Sequence, residues 1–168
     1  KEIHLPMYAN VTPRTVMAVS DKTLKTLSGL VQSVQMGVQA ARHESLKLFH
    51  RAFQSEEQVK RAYDRLETFG IKVKLEIIIG LPVADPLGDA LDTVKMCQRI
   101  AAGGFIACFP LMLFPGTVLY QKCQDEKIPL NDSCEFEFHS GEGSVKFNPV
   151  DARRIKNLTK MATLFVKH

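Results

Sequence analysis

Val34, Met36 and Val38 alternate with Gln35, Gly37 and Gln39. A period of two puts the three apolar side chains on one face of a strand and two amides and a glycine on the other. The apolar face is suited to lie under helices. The polar face would leave amide groups unpartnered in a packed core, so such a strand lines a cavity rather than filling one. A second run, Ile71 to Ile79, alternates through Lys72, Lys74 and Glu76 and then turns wholly apolar before Gly80-Leu81-Pro82. Its β-branched density predicts a strand buried on both faces at its far end. Phe105 to Leu113 predicts a third strand and Glu2 to Val11 a fourth, with Pro6 marking a bulge, an edge or the strand's end.

Helical periodicity fills the intervals. Ser20 or Asp21 caps a helix carrying Leu24, Leu27 and Leu30, and a short helix from about His43 to His50 turns Leu46 and Phe49 inward. Ser55-x-x-Gln58 is a capping box followed by Val59, Ala62, Tyr63, Leu66 and Phe69, with Gly70 as the stop. Leu87, Leu91, Val94, Cys97 and Ile100 mark the inward side of another helix, closed by Gly103-Gly104. A short helix is expected at about Thr117 to Cys123. Asn148-Pro149 opens a last helix that turns Ile155, Leu158, Met161, Ala162 and Phe165 inward. Thr12-Pro13 is expected to be a turn, and residues 125–147 an irregular loop.

Strands and helices in regular succession imply parallel strands with right-handed crossovers, either doubly wound or in a β/α barrel. Gln35, Gly37, Gln39, Lys74, Glu76, Ile78 and Gly80 as interior positions favour a barrel with a lumen. With four strands it is an incomplete (β/α) barrel with outer helices. Residues 1–124 are expected to form this half-barrel, and residues 125–168 a loop and a helix packed on it.

The chain is long enough for one domain with a proper core at 168 residues, and 45 % hydrophobic with 24 % charged residues describes an ordinary globular protein. A net charge of +4, spread along helical runs, gives nucleic-acid binding no support. No apolar run reaches the length of a membrane span and no signal peptide is visible, and a cytoplasmic setting is expected. A start at Lys1 without Met points to a fragment of a longer protein. Cys97, Cys108, Cys123 and Cys134 lack the tight pairing of zinc or iron–sulfur ligands and are expected to be free thiols.

In parallel α/β folds ligands gather at the C-terminal ends of strands. Gln39, Glu76 and Arg51 are the polar groups that fall there. Arg51, twelve residues beyond Gln39, either reaches back to clamp a carboxylate or is a solvated surface charge. Glu76 either accepts bonds from an amine or a ribose or pairs with Lys72 or Lys74. Gln39 binds a ligand or satisfies backbone groups in a turn. His43 and His50 lack a third metal ligand. No GxGxxG, P-loop, GxSxG or HExxH is present.

The chain also resembles the second half of the catalytic barrel of radical S-adenosylmethionine enzymes. The resemblance is carried by Gly37-Val38-Gln39-Ala40 (G-[VI]-[QE]-S in the family), Leu46 and Arg51 (L-x-x-x-x-R), and Gly70-Ile71-x-Val73. It continues in Ile77-Ile78-Ile79-Gly80-Leu81-Pro82 (D-x-I-x-G-L-P-G-E-T) and Phe114-Pro115-Gly116-Thr117-Val118-Leu119-Tyr120 (P-G-T-x-L/F-Y). Order and spacing agree over about residues 1–123. The family's CxxxCxxC is absent, Ala40 replaces a Ser, Val83-Ala84-Asp85 replaces G-E-T, and Tyr8 stands where some relatives have an acid.

The resemblance implies part of a (β/α)6 partial TIM barrel, with S-adenosylmethionine and a [4Fe–4S] cluster in the parent protein. It places Gln39 beside the S-adenosylmethionine, Arg51 on its carboxylate, Glu76 near the ribose and Ile78 against the adenine. The parent would cleave S-adenosylmethionine reductively to a 5′-deoxyadenosyl radical that removes a hydrogen from a small-molecule substrate, with a reductant protein as partner. This chain alone is expected to bind no cofactor and to catalyse nothing. The pieces look most like the group with cobalamin-binding members, including the anaerobic magnesium-protoporphyrin monomethyl ester oxidative cyclase. The coproporphyrinogen dehydrogenase and methylthiotransferase branches share them. A non-catalytic β/α-barrel binding module and an aldolase-like barrel enzyme stay open as alternatives.

Overall fold

The structure, a computed structural model, describes residues 7–131 and 142–167. Four strands, β1 (Met7–Val11), β2 (Val31–Gln39), β3 (Val73–Ile79) and β4 (Phe105–Pro110), form one sheet. All neighbours are parallel and the order is β1-β2-β3-β4. An unbroken sequential order decides between the two expected architectures. A doubly wound sheet reverses direction at some point, whereas every crossover here steps the same way and brings its helices to one side. The chain is an open α/β half-barrel.

The helices are α1 (Pro13–Ala18), α2 (Asp21–Ser28), α3 (His43–Leu48), α4 (Glu56–Thr68), α5 (Pro86–Ile100), α6 (Val118–Asp125) and α7 (Pro149–Lys167). The expected turn at Thr12-Pro13 is in fact the start of α1. Thr12 caps it by accepting from the Thr15 amide at 3.1 Å, and proline occupies the first turn, where its missing N–H costs nothing. The Ser55 capping box of α4 has both of its reciprocal bonds.

One core lies between sheet and helices. Val34, Met36, Val38, Leu75, Ile77, Ile79 and Ile106 meet Val59, Ala62, Leu66, Ala90, Val94 and Cys97. Residues on β3 alternate strictly between buried and partly exposed along its whole length. Its far end is therefore not buried on both faces: Lys74, Glu76 and Ile78 face away from the core. A smaller apolar cluster, with Ala40, Leu81, Leu111, Leu113, Cys123 and Val145, seats α6 at the strand ends.

Several inward assignments change. Leu91, Met161 and Phe165 are exposed, because each sits at the margin of its helix's apolar stripe. Gly80 leaves the lumen face: with φ at +73°, a Cβ there would meet Ile155 at 3.3 Å and Phe147 at 3.6 Å. β4 stops at Pro110. Beyond it the Leu111 carbonyl accepts from the Ser144 amide at 2.8 Å and the Leu113 amide donates to Ser144 Oγ at 2.9 Å. The flanks of the expected loop are thus tied down, with a Leu130–Val145 antiparallel bridge. Pro6 and Cys134 lie outside the described residues. Among the described residues no helix is long and apolar enough to cross a membrane.

Candidate functional site

The site begins with an irregularity in β2. Gly37 pairs with Glu76, but Gln39 pairs with Ile77, so Val38 is an extra residue in the ladder. A bulge of this kind bends the strand and re-aims the next side chain. Gln39 also has φ at +71°, a left-handed backbone that a non-glycine residue adopts only at a cost. Together they turn the Gln39 side chain back over Gly37: a Cβ built on Gly37 would lie 3.0 Å from Gln39 Nε2. Bare glycine leaves a notch there, which the Gln39 amide and the Arg51 guanidinium occupy.

Arg51 reaches the same notch by a different route. Helix α3 ends in a Schellman motif, with His50 left-handed at φ +54°. The His50 amide donates to the Lys47 carbonyl at 3.1 Å and the Arg51 amide to the Leu46 carbonyl at 2.9 Å. This fixes the start of the Arg51 side chain, whose Nη1 donates to the Gly37 carbonyl at 2.6 Å. Both terminal nitrogens lie 3.7 Å from a Cβ placed on Gly37. The neighbouring carbonyl, Val38 O, accepts from Gln54 Nε2 at 2.7 Å. Arg51 and Gln54 thus satisfy two carbonyls at the bulge. Burial lowers the Arg51 pKa, yet guanidinium stays charged at neutral pH. No carboxylate pairs with it among the described residues, in contrast to Arg42, Arg65 and Arg99.

Glu76 stands in register with Gly37 on the adjacent strand, on the face away from the core. Neighbouring strands lie about 4.8 Å apart, so its backbone flanks the notch. The proposed pairing with Lys72 or Lys74 is absent among the described ion pairs. Ile78 follows two residues on and lines a cleft of 660 Å³ with Phe49, Phe109, Leu111 and Leu113. Arg51 lines a second cleft of 720 Å³ with Arg14, Met17, Phe49, Phe53 and Gln54. The structure therefore brings Gln39, Gly37 and Arg51 into contact and sets Glu76 beside them. Ile78 is on the same face but opens to the neighbouring cleft.

Each of these groups offers a ligand a distinct contact. A guanidinium without an acid partner accepts a carboxylate, a carboxylate takes ammonium or hydroxyl donors, and Ile78 offers an apolar surface to a base. A metal cluster is another matter. Among the described residues no three His, Cys, Asp or Glu side chains come together to hold a metal. Cys97 and Cys123 are buried and Cys108 partly so, and burial pushes the Cys97 and Cys108 thiols up to about 12. Thiols so raised are neither nucleophiles nor ready ligands at neutral pH.

How the segment after β2 is anchored leaves no mark in the sequence pattern. Arg42 pairs with Asp92 at 2.8 Å and Asp85 at 3.2 Å. Asp85 in turn caps α5 by accepting from the Gly88 amide at 3.0 Å. A Cβ on Gly88 would come within 1.9 Å of Asp85 Oδ2. Alanine there normally gains about 0.5–1 kcal/mol over glycine in a helix, but here it evicts a cap worth about 1 kcal/mol. Gly88→Ala is expected to be neutral or mildly destabilising in the native background and stabilising in Asp85→Ala, a sign change that urea unfolding of the four proteins of the cycle measures.

No family model matches the chain. No curated protein sequence matches it either. Among solved structures it is similar to coproporphyrinogen III oxidase (HemN) from Escherichia coli, a radical SAM enzyme, with a TM-score of 0.59 at 17 % identity. The superposition covers 93 % of this chain and 32 % of that one, so the chain spans about a third of that enzyme's length. At such identity the likeness is one of fold: the four parallel strands and their helices are arranged as in the matched part of that enzyme.

Proposed function

We propose that the chain forms the S-adenosylmethionine-binding half of a radical S-adenosylmethionine enzyme. One observation carries this reading: an Arg51 guanidinium with no acid partner among the described residues, seated with Gln39 Nε2 over bare Gly37, at the strand ends of a sheet whose fold is similar to part of a radical SAM enzyme. Arg51 holds the ligand's carboxylate, Gln39 and Glu76 take its amine and ribose hydroxyls, and Ile78 packs on the base. S-adenosylmethionine held at a [4Fe–4S] cluster supplies a carbon radical able to remove an unactivated hydrogen. This chain's residues bind and orient the ligand for that chemistry. Cluster ligands, reductant protein, small-molecule substrate and any cobalamin domain belong to the rest of the enzyme in this reading. Residues 1–124 are then the barrel half, residues 125–168 a loop and helix packed on it, and the setting the cytoplasm.

Calorimetric titration of the full-length protein with S-adenosylmethionine tests the assignment. Arg51→Met is expected to weaken binding about 10- to 100-fold, the worth of a hydrogen bond to a charged group. Unchanged affinity would remove Arg51 from the site.

A further inference from the structure

We propose that Asp89 is a positioning residue for the Gln39–Arg51 rim: buried beneath the segment that leaves β2, it holds Ser45 and so fixes where α3 and the Arg51 beyond it stand. The functional meaning of that rim rests on the cofactor reading above; the anchoring itself does not.

Asp89 and Ser45 are both fully buried, at 0 % exposure. Ser45 Oγ donates to Asp89 Oδ1 at 2.5 Å. The second carboxyl oxygen, Oδ2, has no partner among the described residues. Packing alone is better served by an apolar side chain, since an unmatched buried oxygen is costly. The residue is therefore kept for what Oδ1 does.

What it does is close one end of a five-residue clamp. At the other end the Ala41 amide donates to Thr93 Oγ1 at 3.0 Å, and Thr93 Oγ1 donates to the Asp89 carbonyl at 2.9 Å. Residues 41–45 are thus fastened to α5 at both ends through Asp89. Two residues before them stands Gln39 with its left-handed backbone. Immediately after, Leu46 offers the carbonyl that the Arg51 amide takes. The Arg42 pairs on the outside are partly exposed and weakened by salt, so the buried bonds carry the hold when ions screen the rest.

The charged groups that face Asp89 are Arg42 and Glu44 from the clamped segment and α3, and Asp92 from α5. Burial, first among the influences, pushes Asp89 above the ordinary carboxyl range; the Ser45 bond and Arg42 pull it down, and Glu44 and Asp92 push it up. A raised folded-state pKa means that the folded chain binds this proton more tightly than the unfolded one. Its contribution is complete below the unfolded value of about 3.9 and is lost as pH rises toward the raised folded value. Ionisation strengthens the Ser45 bond itself, but burial of the charge is the larger influence, so the segment opens more readily as Asp89 ionises. Asp89→Asn keeps the shape of the neutral acid at every pH.

Amide hydrogen exchange over residues 40–51 of the full chain tests this between pH 4.5 and 8, corrected for the intrinsic pH dependence of exchange. In the wild type, protection of this segment is expected to fall as pH rises, while Asp89→Asn keeps its acid-pH protection throughout. Ser45→Ala should lose about tenfold at every pH, with α4 and β3 unchanged. Parallel pH profiles for wild type and Asp89→Asn would overturn the proposal, and that comparison suffices if Ser45→Ala does not fold. S-adenosylmethionine affinity measured on the same proteins separates the two ideas. The expected exchange pattern without any binding leaves the clamp standing and removes the cofactor reading.

Discussion

Gly37→Val is expected to abolish S-adenosylmethionine binding by the full-length protein, a loss of about 100-fold or more, while costing about 1–3 kcal/mol of stability. The two halves of this expectation have separate causes. A Cβ at Gly37 already sits 3.0 Å from Gln39 Nε2 and 3.7 Å from both terminal nitrogens of Arg51. The two methyls of valine reach further into the space where those groups meet, and the Arg51 bond to the Gly37 carbonyl must give way. The cost to stability is limited to that lost bond, because Gly37 faces away from the sheet–helix core and valine is a better strand residue than glycine. Gly37→Ala should cost only about tenfold, since the atom in its way is the flexible end of Gln39. Calorimetry and a urea midpoint on each variant check both parts. Full binding by Gly37→Val would show that the notch holds no ligand.

The largest effect on the fold should come one residue from a site position. Leu75→Ala is expected to destabilise the protein by about 2–5 kcal/mol, against a total of about 5–15 kcal/mol for a typical domain. Leu75 is fully buried and pairs in register with Met36 and Ile106, two other core residues. Truncation leaves a cavity in the middle of three packed strands. Glu76→Gln, on the opposite face, should stay within about 0.5 kcal/mol yet weaken ligand binding. Equal destabilisation by the two would mean that the faces of β3 are not divided as described.

How much of this could be read from the chain depends on how local each cause is. The faces of β2 follow from the alternation of Val34, Met36 and Val38 with Gln35 and Gly37, and α4 follows from Ser55, Gln58 and Gly70, so both were legible. The strand order was not: periodicity admits a doubly wound sheet as readily as a barrel, and the polar lumen positions only favoured the latter. Helix α1 was hidden by Thr12-Pro13, a pair that opens a turn as readily as it caps a helix. Gln39, Glu76, Arg51 and Ile78 could be picked from strand-end logic and resemblance, but nothing in the letters shows the extra residue at Val38 or the left-handed Gln39. Those come from pairing with β3. Gln54 gave only a polar letter before a helix cap, and Asp89 only an acid in a helix's first turns. Their partners, Val38 O and Ser45, are distant in sequence, and such contacts are written in the tertiary structure alone.

The most direct test is a crystal structure of the full-length protein with S-adenosylmethionine bound. The expected result is a ligand carboxylate within hydrogen-bond distance of Arg51, with Gln39, Glu76 and Ile78 in contact with the remainder of the molecule. A ligand bound with Arg51 and Glu76 both untouched would contradict the account.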